Sequence, residues 1–152
     1  ECSHCLERNE RRNRKMKKYL NIALYYAIAA AVGGVFYREF TKAYQYTGVT
    51  ALGKVHVHLF ILGMIMFLFV ALFKQNYDLE EQKTFRIFMI LYNIGLPLTA
   101  VMFIVRGVPQ VMNMTLSAGM NGMISGIAGI GHILLGTGII LFLVSLKKST
   151  AE

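Results

Sequence analysis

Four separate apolar blocks constrain the fold of this chain more than any other feature of its sequence. They cover about residues 19–37, 52–73, 85–105 and 120–146, and polar or charged stretches separate them. Each block has the roughly 20 apolar residues that a helix needs to cross the hydrocarbon core of a bilayer. Because only helices and closed barrels satisfy every backbone polar group in lipid, the sequence predicts an all-α, integral membrane, up-and-down four-helix bundle.

The four spans and their short connections form one predicted domain, residues 19–148. A polar, basic N-terminal tail of residues 1–18 precedes it, and residues 149–152 form a short tail after it. Met16-Lys-Lys-Tyr-Leu is typical of the start of small bacterial membrane proteins, so residues 1–15 are either native sequence or an added extension. The first span is too long for a signal peptide and lacks a small-residue cleavage site, which predicts a retained helix.

The distribution of Lys and Arg predicts the orientation of the spans. Twelve of the 16 basic residues lie in the N-terminal tail, in the region 74–86 or at the C-terminus. The other four, Arg38, Lys42, Lys54 and Arg106, lie in or beside the two remaining loops. We therefore expect a multi-pass protein of a bacterial cytoplasmic membrane with both termini cytoplasmic. The net charge of +8 belongs to this topology and indicates no nucleic-acid partner.

Three histidines lie inside the apolar blocks, and an ionisable side chain in a membrane span is a functional-site hypothesis by default. His58 precedes Lys74 by 16 residues and His132 precedes Lys147 by 15 residues. At about 1.5 Å per residue, both lie roughly 22–24 Å from the charged end of their span. This shared level predicts that His58 and His132 hold a common ligand.

His56 is the other candidate on the second span. Two residues turn a helix by about 200°, so His56 and His58 face nearly opposite ways and do not ligate one iron together. Gly63, seven residues after His56, clears space on the face of His56. The sequence favours His58 as the partner of His132 and leaves His56 open as the alternative metal ligand.

Small residues surround the predicted histidine level on the other spans. Gly33 in span 1 offers no side chain there, and Thr99 in span 3 offers a small hydroxyl. Span 4 carries small residues and one histidine at spacings of three and four, namely Gly122, Ser125, Gly126, Gly129, His132 and Gly136. Such a stripe serves close helix–helix packing or makes room for a flat macrocycle, and both interpretations stay open.

Three cations form a predicted layer beyond the histidines. Arg38, Lys54 and Arg106 each lie 20 residues from the basic residue at the opposite end of their span. This places them about 6–11 Å outside the histidines, within reach of haem propionates. The alternative is that each side chain simply extends to the membrane interface.

The string Lys54-Val-His-Val-His-Leu-Phe-Ile-Leu-Gly resembles the His-x-His helix of the haem–copper oxidase catalytic subunit superfamily. In that superfamily the two histidines ligate two different haem irons. The resemblance implies that His58 is a low-spin haem ligand, that His56 is a high-spin haem ligand, and that His132 takes the opposite ligand position. From Met16 onward the chain also resembles a family of small uncharacterised bacterial four-helix membrane proteins.

Other candidate sites are weaker. Cys2-Ser-His-Cys5 has the spacing of half a zinc site, but no second ligand pair follows it. Nine methionines could favour copper(I), although their scatter is typical of core filling. The spans contain no Asp or Glu, which disfavours a transporter built on membrane carboxylates. The sequence does not decide whether the protein is an enzyme.

The sequence therefore predicts a membrane protein that binds haem b through His58 and His132, for electron transfer or for gas or redox sensing. The first alternative is a small oligomeric transporter or a membrane protein that binds copper or another transition metal. The second is a non-catalytic accessory subunit whose histidines are hydrogen-bonded between helices. Expected partners are the lipid bilayer, further copies of the chain, and a redox partner or quinone.

Overall fold

A computed structural model describes the backbone of residues 2–150 and the side chains from residue 10 onward, other than those of residues 11, 12 and 15. This part of the chain is all helical. Its elements are α1 (Cys2–Ala43), α2 (Leu52–His58), a π-helical segment (Leu59–Ile65), α3 (Met66–Asn76), a 3₁₀ turn (Leu79–Glu81), α4 (Lys83–Val111) and α5 (Ala118–Ser149). We call α2, the π-helical segment and α3 together the composite helix, because they follow one another without a break.

Four stretches are long and apolar enough to cross a membrane: Met16–Ala43, Leu52–Asn76, Lys83–Val111 and Ala118–Ser149. Each contains one of the predicted spans. The all-α fold with four candidate membrane-spanning helices is therefore confirmed. The basic segment ahead of Met16 continues the first of these helices, because α1 begins at Cys2.

The helices α1 and α4 both end later than the apolar blocks predicted. In each case a residue with a left-handed backbone ends the helix, Gln45 (φ 51°) after α1 and Asn113 (φ 52°) after α4. After α1, the N–H of Tyr46 donates to the carbonyl of Thr41 at 2.9 Å, and the N–H of Gln45 donates to that of Lys42. This pair of bonds is the Schellman motif. Local hydrogen bonding, rather than hydropathy, thus sets where these helices stop.

The packing follows the order of the chain. The helix α1 packs along the composite helix, the composite helix packs on α4, and α4 packs along α5 over most of its length. One half of this arrangement is filled by fully buried rings and we call it the aromatic half; its main members are Tyr19, Phe67, Phe85, Phe88, Tyr92 and Phe142. The histidines lie in the other half, which we call the histidine half.

A buried ion pair ties the helices together at the end of the aromatic half. The side chain of Lys74 is only 3% exposed, and its Nζ lies 3.4 Å from the carboxylate of Glu80. Tyr19 in α1 donates from its hydroxyl to the same carboxylate at 2.8 Å, and Arg86 in α4 donates to the Glu80 backbone carbonyl. The short loop before α4 therefore links three helices.

Candidate functional site

His58 and His132 lie next to each other in the histidine half. His58 is the last residue of α2 and His132 lies in the middle of α5. Their ring centres are 6.3 Å apart, with the ring planes at 82°. The depth comparison along the spans had predicted that these two residues share a level, and the structure places them side by side.

Both imidazoles are held in the same way. The Nδ1 of His58 lies 2.9 Å from the carbonyl oxygen of Lys54, and the Nδ1 of His132 lies 2.8 Å from that of Ala128. Because a carbonyl only accepts, each Nδ1 carries the proton and each Nε2 carries a lone pair. A bond from the second nitrogen to a backbone carbonyl is the usual arrangement of a histidine that ligates a metal. This arrangement leaves each Nε2 outside the bond to the carbonyl.

Phe103 of α4 lies beside this pair. Its ring centre is 4.7 Å from that of His58 and 5.8 Å from that of His132. With the two imidazoles 6.3 Å apart, these distances put the Phe103 ring beside the midpoint between them. Lys54 has its Nζ 6.0 Å from the centre of the same ring, within the range of a cation–π contact. Phe103 is therefore a neighbour of both imidazoles, as is Lys54 through the Phe103 ring.

The spacing of the histidines suits one metal centre. Metal–nitrogen bonds to histidine are about 2 Å long and an imidazole nitrogen lies about 1 Å from its ring centre. The observed 6.3 Å is close to the separation of two imidazoles on opposite sides of one metal. A single ion between the imidazoles would need less room beside the Phe103 ring than a flat macrocycle would.

His56 lies on the other side of the composite helix, as its predicted angle to His58 requires. Its ring stacks on Tyr37 of α1, with ring centres 6.2 Å apart and planes at 17°. Gly34 of α1 also adjoins the imidazole, since an added Cβ there would lie 3.6 Å from His56, at ordinary contact distance. The predicted site glycine Gly33 instead faces Val55. His56 thus belongs to the contact between α1 and the composite helix, and its buried Nδ1 has no hydrogen-bond partner among the described residues.

The glycines of α5 divide into two faces, which sequence spacing alone did not separate. A Cβ at Gly131 would lie 2.5 Å from Thr99 Oγ1, and one at Gly95 would lie 3.1 Å from the Gly131 carbonyl oxygen. These glycines bring α4 and α5 together one residue before His132. The predicted stripe behaves differently, because Gly122, Gly126, Gly129 and Gly136 would meet no described atom within 4 Å. The glycines of the stripe therefore do not pack against the described residues, although Ser125 and His132 of the same stripe do contact neighbouring helices.

Thr99 is fully buried at the crossing of α4 and α5. Its Oγ1 has no hydrogen-bond partner among the described residues, and it contacts the backbone of Gly131. Thr99 therefore lies at the helix crossing next to His132. It is one turn before Phe103 on α4.

The three predicted rim cations have three different partners. Arg38 is exposed on α1 and lies 3.7 Å from its neighbour Glu39. Lys54 lies beside the histidine pair, over Phe103. Arg106 turns toward α5, where it donates to the hydroxyl of Ser125. Of the three, Lys54 is the one whose charge is next to His58 and His132.

Sequence inspection missed the π-helical segment, which begins directly after His58. Each π turn contains an extra residue and leaves the backbone bonding irregular, and such segments are frequent at functional sites. Tyr92 of α4 donates from its hydroxyl to the carbonyl of Leu62 within the segment, at 2.9 Å. Gly63 lets α1 approach the same segment, where an added Cβ would lie 2.6 Å from Tyr26. No sequence pattern predicted this change from α-helix to π-helix.

The structure contains no group of three or more His, Cys, Asp or Glu side chains around a metal-sized space among the residues whose side chains it describes. The candidate half zinc site at Cys2 and Cys5 lies outside those side chains. Among the described residues, a hypothesis of metal or cofactor binding therefore depends on His58 and His132. A six-coordinate haem iron takes two axial ligands from its protein.

The fold and the histidine pair define a class of protein: an all-α chain with four apolar helices and a paired-imidazole site between two of them. Residues 16–149 match the family model described as protein of unknown function, DUF2871. The chain belongs to this family, and the expectation of a family of uncharacterised proteins from Met16 onward is confirmed. No curated protein and no solved structure matches the chain. These comparisons do not show the resemblance of the His-x-His segment to haem–copper oxidases.

Proposed function

We propose that this protein is a membrane haem b protein with His58 and His132 as the axial ligands. The observation that carries the proposal is the pairing of two imidazoles whose Nδ1 atoms are both bound to backbone carbonyls, with ring centres 6.3 Å apart. Histidines on facing helices are a common way to hold a cofactor inside a helical bundle. The porphyrin supplies the remaining iron ligands, so this chain needs only the two imidazoles.

The location that fits this proposal is the cytoplasmic membrane of a bacterium. The four apolar helices support a multi-pass membrane protein. The excess of Lys and Arg in the N-terminal tail, the region 74–86 and the C-terminus supports cytoplasmic termini. In this orientation the histidine half lies toward the outer leaflet and the aromatic half toward the cytoplasm.

The surroundings of the pair support one-electron chemistry or the sensing of a small gas. Lys54 places a positive charge beside the imidazoles, where it would stabilise an anionic propionate. His132 is exposed within α5, so a small molecule reaches the pair without a tunnel through the core. Self-association of the chain and a quinone or other redox partner remain predictions.

A second candidate uses the same two histidines for a single transition-metal ion, such as copper, in binding or transport. The observation that favours it is Phe103, whose ring lies beside the midpoint of the pair. A single ion needs less room beside this ring than a porphyrin does. Imidazole suits copper, iron, zinc and nickel alike, so elemental analysis has to identify the ion.

The test is the haem and metal content of the detergent-purified protein, measured by pyridine haemochrome and elemental analysis. We expect one haem b per chain in the wild type and none in the double variant His58→Ala, His132→Ala. One copper or other transition-metal ion per chain without haem would support the second candidate. The His56→Ala variant is the matched control, because His56 stacks on Tyr37 away from the pair. A wild-type protein with neither group, even after haem or copper is added, contradicts both candidates.

A further inference from the structure

A pocket opens where α4 and α5 meet their connecting loop, and we call it the loop pocket. It has a volume of about 430 Å³ and carries four polar side chains, those of Arg106, Gln110, Asn121 and Ser125, with Met114 and Leu116 as apolar walls. This volume lies in the range of pockets that bind small molecules. The histidine pair does not line the pocket, so its chemistry is a separate question from the cofactor.

Arg106 gives the loop pocket an unbalanced positive charge. Its guanidinium donates to Ser125 Oγ, and Ser125 in turn donates to the carbonyl of Asn121 at 2.9 Å. Among the described side chains, the acidic groups in ion pairs are those of Glu39, Asp78 and Glu80, and none of them pairs with Arg106. A neutral hydroxyl orients the guanidinium but leaves its charge available to an anion.

Gln110 adds an oriented amide. Its Oε1 accepts from the N–H of Ala51 at 2.8 Å and from the hydroxyl of Thr50 at 3.2 Å. These two bonds to the start of the composite helix fix the orientation of the amide. The donors on its Nε2 take no part in these two bonds. A fixed amide donor beside a guanidinium is a combination that suits phosphate oxygens.

The helix α5 reinforces this polarity. It begins at Ala118, and Ser117 caps it by accepting from the N–H of Met120 at 3.2 Å. The N-terminus of a helix of this length carries a partial positive charge. Asn121 and Ser125 belong to its first two turns, so the helix end and Arg106 favour the same sign of ligand.

The position of the loop pocket along the helix matches the phosphate layer of a bilayer. Arg106 lies 20 residues after Arg86, which is about 30 Å along α4 and equals the hydrocarbon thickness of a typical membrane. The pocket is therefore expected at the interface. A bare phosphate ion would fill only a small part of about 430 Å³, and a headgroup with part of its glycerol would also contact Met114 and Leu116.

We propose that the loop pocket binds a phosphate group, with Arg106 as the anchoring charge. The phosphate is supplied either by the headgroup of an anionic phospholipid or by a soluble phosphate compound, and binding of each is measured separately. This proposal does not depend on haem or metal at His58 and His132, because none of its residues ligates there.

The experiment compares wild type, Arg106→Gln and Arg38→Gln in detergent, with binding followed by native mass spectrometry and calorimetry. Arg38→Gln is the matched control, since Arg38 is an exposed arginine predicted at the same depth. Phosphatidylglycerol and inorganic phosphate are the two probes. We expect Arg106→Gln to bind phosphatidylglycerol at least about tenfold more weakly, since a hydrogen bond to a charged group contributes about 1.5–3 kcal/mol. Arg38→Gln should bind like the wild type.

Saturation by inorganic phosphate that also depends on Arg106 would assign the site to a soluble ligand. Arg106→Lys keeps the charge and should retain part of the affinity, which separates a lost anchor from a misfolded protein. Circular dichroism checks the helical content of each variant. Equal binding of both probes by wild type and Arg106→Gln, with the helical content unchanged, would overturn the proposal.

Discussion

The aromatic half and the histidine half of this protein are built on opposite principles. In the aromatic half, Phe88 lies 5.0 Å from Phe142 and 5.2 Å from Tyr92 between ring centres, and these rings are almost fully buried. In the histidine half, His58 and Phe103 are half-buried and His132 is exposed. One half is closed by its own side chains, while the other presents polar nitrogens at a partly open surface.

This difference suits different roles for the two halves, with the aromatic half stabilising the fold and the histidine half as the proposed ligand site. Buried aromatic rings contribute large apolar contacts together with ring–ring attraction. An ionisable side chain within a membrane span is costly and is a functional-site hypothesis by default. We therefore expect substitutions in the aromatic half to change stability, and substitutions in the histidine half to change ligand binding.

The largest expected effect is on stability in the aromatic half. Phe142→Ala removes a ring that contacts Phe85 and Phe88, and such truncations cost about 3–5 kcal/mol. The free energy of unfolding in mixed detergent would show the loss. Phe69→Ala is the control, because Phe69 is 48% exposed and should cost far less. Equal losses in the two variants would contradict the stabilising role of the buried rings.

The next effect tests the crossing of α4 and α5 beside the histidine pair. Gly131→Ala places a Cβ 2.5 Å from Thr99 Oγ1, and overpacking of this kind costs about 1–3 kcal/mol. We also expect weaker ligand binding, since the next residue is His132. Gly129→Ala lies two residues away and meets no described atom within 4 Å, so it should leave thermal stability and binding unchanged. If both variants behave alike, the two glycine faces of α5 are wrongly assigned.

A smaller effect is expected at the π-helical segment. Tyr92→Phe keeps the buried ring and removes the hydroxyl that donates to the Leu62 carbonyl. The lost hydrogen bond should lower the free energy of unfolding by about 1 kcal/mol. The bond joins α4 to the π-helical segment, so its loss should let the segment open more often. Hydrogen exchange of residues 59–65 should therefore also accelerate. Tyr25→Phe, on an exposed side chain, serves as the control, and an unchanged exchange rate in Tyr92→Phe would show that the bond does not hold the segment.

A change in stability smaller than that of Phe142→Ala is expected for Phe103→Ala, which tests the histidine half. The half-buried ring contributes less to packing than a buried one, so the free energy of unfolding should fall by less than in Phe142→Ala. Haem titration should give tighter binding, because the ring beside the midpoint of the imidazoles is gone. Weaker haem binding in this variant would mean that Phe103 supports the macrocycle instead of obstructing it.

The sequence predicted the parts of this structure that depend on distance along a helix. Apolar length identified the four helices because the hydrocarbon core sets a minimum span. A rise of about 1.5 Å per residue placed His58 and His132 at one level, and the structure has their rings adjacent. The roughly 200° between His56 and His58 likewise placed the two on opposite sides of the composite helix.

The sequence did not predict features that depend on rotation about a helix axis. The close approach at Gly95 and Gly131 turns α5 so that the predicted glycine stripe faces outward, and spacing alone does not choose between the two faces. The π-helical segment changes the angular register after His58 without any composition signal. The position of Phe103 beside the two histidines follows from this packing, which explains why it was not among the predicted site residues.

The central claim is most directly tested by the reduced-minus-oxidised visible spectrum of the purified protein and of three single histidine variants. The account predicts sharp low-spin haem b bands in the wild type and in His56→Ala, and their loss in both His58→Ala and His132→Ala. Bands that persist without His58 or without His132 would contradict the assigned pair. A wild-type protein that stays colourless after haem is added would contradict haem binding itself.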